Sequence, residues 1–76
     1  MRTEEEVLKD FKKLGYKITS NDEVSMYLEK QLYIIRVFKI SKCYDCQYKY
    51  SSSSFILDLE DHKLLHELFE IWRWLE

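Results

Sequence analysis

Cys43-Tyr44-Asp45-Cys46, then fifteen residues, then His62-Lys63-Leu64-Leu65-His66 is the stretch on which the reading of this chain turns. Two thiols separated by two residues and two imidazoles separated by three have the spacing by which a tetrahedral zinc ion is gripped from a hairpin turn and a helix. These are all the cysteines and histidines of the chain. The spacing predicts a structural Zn²⁺ bound by the thiolates of Cys43 and Cys46 and by one ring nitrogen each of His62 and His66. With four protein ligands such a site is closed and leaves no position for water or substrate, which argues against Lewis-acid catalysis and against an enzyme. The alternative makes His62 a surface residue at a helix start, His66 a partly buried one, and the cysteines small hydrophobes of a strand end.

Outward from that stretch, the length of 76 residues predicts one domain, residues 1–76, near the lower limit of what a core stabilises unaided. Domains of this size commonly carry a staple. A disulfide between cysteines so close in sequence would constrain the unfolded chain very little, so metal is the better use of them. No apolar run has the length of a membrane span, and Met1-Arg2-Thr3-Glu4-Glu5-Glu6 lacks the apolar core of a signal peptide. The expected compartment is the reducing cytoplasm, where thiolates stay available.

Thr3-Glu4-Glu5-Glu6 is a capping box, and Val7, Leu8, Phe11 and Leu14 follow on one helical face until Gly15, the only glycine, stops the helix. Tyr16 to Ser20 alternates, Asn21-Asp22 supplies a turn, and Val24, Met26 and Leu28 resume the period of two, predicting two strands. Ser20-x-x-Glu23 is also a capping box, so a helix over the second segment stays open. Leu32 to Ile40 is the most β-prone run and reads as a central strand. Gln47 to Tyr50 reads as a short strand returning from a turn at Tyr44-Asp45, the serines from Ser51 to Ser54 as a solvated loop, and Phe55 to Leu59 as a last strand. Glu60 and Asp61 open a final helix whose stripe is Leu64, Leu65, Leu68, Ile71, Trp72 and Leu75, with His62 and His66 along one edge. The expected fold is α+β: an N-terminal helix, a small antiparallel sheet with the Cys-x2-Cys knuckle, and a C-terminal helix carrying His-x3-His.

Twelve basic against fourteen acidic side chains give a formal charge of −2, which lacks the electrostatic footprint of a nucleic-acid binder. The final helix offers Glu60, Asp61, Lys63, Glu67, Glu70 and Glu76, a set that phosphates would repel. Lys63 stands where a His-Glu-x-x-His protease has its general base, and β-type residues flank the cysteine pair where a redox thiol would want a helix N-terminus. The acidic cluster of Glu4, Glu5, Glu6 and Asp10 reads as a solvated helix face, with DNA mimicry as the alternative. Trp74 beside Arg73 is a candidate contact residue for a protein partner, the alternative being that it folds back on the first helix or a neighbouring strand.

The short, acidic-leaning, glycine-poor, tyrosine-rich chain, with its ending from Asp61 to Leu75, resembles small proteins of phages and prophages of Gram-positive bacteria. Among these are anti-CRISPR inhibitors of type II-A RNA-guided nucleases, at least one of which carries structural zinc. That resemblance implies a stoichiometric protein-binding inhibitor in the host bacterial cytoplasm, with a type II CRISPR effector nuclease as partner and its nucleic-acid loading blocked. The net charge of −2 and the clustered acids of the N-terminal helix predict a basic target surface. Anti-CRISPR proteins share no common motif, so the resemblance assigns no nuclease-contacting residue. The alternative is a zinc-dependent nucleic-acid-binding or transcription-regulatory module.

Overall fold

The computed structural model describes residues 2–51 and 53–73. Helix α1, Glu4–Lys13, begins at the expected box: the Thr3 hydroxyl accepts the Glu6 amide, and the Glu6 carboxylate accepts the Thr3 amide at 3.1 Å. Gly15 follows the C-cap Leu14 at φ 99°, a conformation that costs glycine little and other residues more. Val7 and Phe11 point inward and are buried, while Leu8 and Leu14 pack at the edge of the core.

Four strands follow as an antiparallel meander in the order β1 (Lys17–Asn21), β2 (Ser25–Lys30), β3 (Tyr33–Phe38) and β4 (Cys43–Tyr48). The segment that also fitted a helix is strand β2. Its Met26 and Leu28 are fully buried and stand opposite Val37 and Ile35 of β3, a period-two face that a helix would have dispersed. As expected, β3 lies inside the sheet. The β1–β2 turn is held by Asp22, whose carboxylate accepts the amides of Val24 and Ser25 at 2.9 and 2.8 Å. The β2–β3 turn places Gln31 at φ 51°.

Helix α2, Leu59–Ile71, lies beside α1 on the same face of the sheet. Leu64, Leu65, Leu68 and Trp72 are buried from its expected stripe, and Ile71 packs at the margin. Leu75 and Trp74 lie outside the described residues. The buried side chains of α1, α2, β2, β3 and β4, with Tyr16, form one core cluster between the helices and one sheet face. Among the described residues, no helix is long and apolar enough to cross a membrane.

Two expectations need correction. Phe55 to Leu59 is not a strand. Beyond a single bridge between Ser54 and Gln47 the segment is irregular, and Leu59 is already the first residue of α2. Its alternation reflects a chain that tucks Phe55 against Tyr33 and Tyr48 while leaving Ile56 exposed. The second correction concerns the cysteine pair. No turn occurs at Tyr44-Asp45; Cys43 to Tyr48 is one continuous strand, and the turn lies at residues 39–42, with Lys42 at φ 55°.

Candidate functional site

That strand decides where the four expected zinc ligands go. Cys43 pairs with Phe38 and Cys46 with Ile35 in an unbroken register. Side chains along a strand alternate between faces, so residues three apart point to opposite sides. Cys46 is buried in the core under the helices, whereas Cys43 is exposed on the other face, its Sγ 3.2 Å from the Ser41 hydroxyl oxygen. In this arrangement the two thiols do not face a common point. The set Cys43, Cys46, His62 and His66 is therefore not assembled as a knuckle, and among the described residues no three His, Cys, Asp or Glu side chains are grouped to hold a metal ion. The signal that distinguishes the strand was present: Tyr44, Cys46 and Tyr48 alternate with Cys43, Asp45 and Gln47.

The two thiols consequently differ in chemistry. Burial pushes the Cys46 thiol up to about 11, with the charges of Asp45 and Asp61 adding to the effect, so almost none of it is thiolate at neutral pH. One thiol per folded chain, Cys43, is expected to react quickly with an aromatic disulfide reagent, and the second only after denaturant is added. Two equally fast thiols would contradict the strand placement.

The histidines do come together. His62 and His66 sit one turn apart on α2 with their Nε2 atoms 3.0 Å from each other, His62 partly buried and His66 exposed. On its other side His62 places Nδ1 3.1 Å from the Tyr44 hydroxyl, contributed by β4. Phe69, one turn beyond the pair, stacks near Tyr44 and meets the His66 ring edge-on, walling the cluster on its core side. A neutral imidazole has one N–H and one lone pair, so the contact between two Nε2 atoms carries one proton. If the His62 Nδ1–H donates to the Tyr44 oxygen, the His66 Nε2–H donates to His62.

A second polar cluster was not foreseen. Asp61, expected on the solvent side of the first turn, is buried, and its Oδ2 accepts the Tyr16 hydroxyl at 2.6 Å. The sequence carried the clue: Asp61 lies three, four and seven residues before Leu64, Leu65 and Leu68, which puts it on the apolar stripe. The pair borders a cavity of about 170 Å³ lined by Tyr33, Tyr48, Phe55 and Lys30 among others. Lys39 was also missed. It is buried, with Nζ 2.5 Å from the Asn21 side-chain oxygen and 5.2 Å from the centre of the Trp72 ring.

The acidic N-terminal cluster is largely occupied by the fold itself. Glu4 accepts the Trp72 indole N–H at 2.6 Å, Glu6 closes the capping box, and Asp10 and Glu67 share Arg2. The sheet face away from the helices is different in character. It carries Tyr27, Ile34 and Phe38 around Arg36, whose guanidinium donates to both oxygens of Asp45 at 2.8 and 2.7 Å. Both helices pack on the opposite face, so no described helix covers these side chains. Compared with protein-family models, with curated proteins and with solved structures, the chain finds no match.

Proposed function

We propose that this domain acts by binding another protein through the helix-free face of its sheet, as a stoichiometric inhibitor that covers a surface its target needs. The observation that carries this reading is the composition of that face. Tyr27, Ile34 and Phe38 supply flat apolar and aromatic area, and Arg36 is fixed among them by a two-point bond to Asp45. Aromatic and arginine side chains are the residue types most enriched where binding energy concentrates. Lys49 meets Glu29 at 3.6 Å, so two cations of this region already face carboxylates, a poor offer to a phosphate backbone. A protein surface of complementary apolar character suits it better.

The target to test first is the one implied by the resemblance of the sequence, a type II CRISPR effector nuclease whose nucleic-acid loading would be blocked. Purified domain should inhibit DNA capture at a ratio near one inhibitor per nuclease, without the extent growing over time. Addition after DNA has loaded should do much less. Phe38→Lys and Tyr27→Ala should each abolish inhibition while leaving the far-ultraviolet circular dichroism unchanged. Inhibition that persists in both folded variants would remove the sheet face from the interface, and no inhibition by the wild type would remove this target. The nucleic-acid-binding alternative makes a separate demand, a DNA affinity that falls steeply with salt.

A further inference from the structure

We propose that His62 and His66 chelate one divalent late first-row transition-metal ion as a cis pair, nickel(II) or copper(II) in preference to zinc(II), with water in the remaining positions and no thiolate. Metal–imidazole bonds are about 2.0 to 2.1 Å long, so two nitrogens sharing an ion with tetrahedral angles stand about 3.3 Å apart. The Nε2 atoms here are 3.0 Å apart, the separation of a hydrogen-bonded pair, so small rotations of the two rings bring both onto one ion. Two imidazoles and water, without thiolate, form the nitrogen-and-oxygen donor set that nickel(II) and copper(II) take in tetragonal geometry, whereas tetrahedral sets with sulfur suit zinc(II).

Three further features fit. The helix places both imidazoles at i and i+4 on one face with their Nε2 atoms already facing each other, so the site is preorganised. Tyr44 is placed to accept the His62 Nδ1–H, which leaves the Nε2 lone pair of that ring for an ion. His66 is exposed, and the shallow surface in front of the pair is bordered by Lys63, Glu67 and Glu70, so water reaches the open positions. On binding, the ion takes the place of the single proton between the rings. That proton moves to Nδ1 of His66 through solvent, both rings stay neutral, and no electron is transferred. Cys43 faces away from the helices, and among the described residues no third His, Cys, Asp or Glu side chain is grouped with the two histidines, so no thiolate joins the ligand set.

The test is a titration of the untagged chain with Ni²⁺ and, in parallel, Zn²⁺, followed by calorimetry, absorption and the imidazole proton resonances. One Ni²⁺ per chain, tighter than Zn²⁺, with broadening of both histidine ring signals and no sulfur-to-nickel charge-transfer band, is expected. His62→Gln and His66→Gln should each abolish binding, Cys43→Ser should leave it unchanged, and Tyr44→Phe should weaken it about tenfold through loss of the bond that orients the ring. If a histidine variant unfolds, the broadening pattern in the wild type decides in its place. Zinc binding at least as tight as nickel, a thiolate charge-transfer band, or loss of binding in Cys43→Ser would overturn the proposal, as would an unbroadened pair of histidines.

Discussion

Replacing Phe11 by alanine is expected to remove a large share of the domain's folding stability and to lower its urea midpoint accordingly. Phe11 is fully buried, and its ring meets that of Tyr16 edge-on with centroids 5.6 Å apart at 85°. It anchors α1 in the cluster that also contains Leu65, Leu68 and the inward residues of β2 and β3. Truncating a buried phenylalanine costs about 3 to 5 kcal/mol, because the lost transfer energy is joined by a cavity the surroundings only partly fill. A domain of this length has about 4 to 11 kcal/mol in total, and small domains tend to the low end. Urea unfolding followed by circular dichroism measures the loss. Phe11→Leu, which keeps most of the volume, should cost far less. A Phe11→Ala variant with a midpoint like that of the wild type would mean that α1 is not packed on the sheet.

The second large effect concerns Tyr16 and Asp61. Asp61→Ala removes the acceptor of a buried hydroxyl and leaves it unsatisfied, an arrangement that costs about 1 to 3 kcal/mol, with further loss from the vacated volume. Tyr16→Phe strands the carboxylate instead and should cost a similar amount. The double variant Tyr16→Phe, Asp61→Leu should be much less destabilised than the sum of the two single changes, since replacing both partners by apolar groups removes the unsatisfied atom. Additive losses would mean that the two side chains do not interact.

The same pair gives the fold an alkaline limit. Burial, followed by the bond to Asp61, raises the Tyr16 hydroxyl well above its ordinary value of 10.0, and burial likewise raises Cys46 from 9.0 to about 11. Both groups are neutral in the folded state at a pH where the unfolded chain releases their protons. Their contribution is therefore whole below about pH 9 and is lost progressively as pH rises through the folded values. Tyr16→Phe should shallow this alkaline decline, measured as unfolding midpoint against pH, even though it lowers stability at neutral pH.

The amino-acid sequence by itself determined the elements whose causes are local. Thr3 and Glu6 fixed the start of α1, and Gly15 fixed its end through a backbone conformation other residues avoid. The stripe of Leu64, Leu65, Leu68 and Trp72 placed α2 against the core, and the alternation in Met26, Leu28, Ile35 and Val37 built the inner strands. Only the tertiary structure decided the fate of the ligand spacing. Cys-x2-Cys is compatible with a turn or with a strand interior. The choice was made by the pairing of Cys46 with Ile35 across the β3–β4 hairpin, which buries Cys46, packs Tyr44 against the core and turns Cys43 outward. In the same way, Asp61 is polar by composition but stands on an apolar stripe, and only the arrival of Tyr16 from 45 residues earlier makes its burial affordable. Local spacing specifies which residues are able to meet, and the register of the sheet against the helices specifies which of them do.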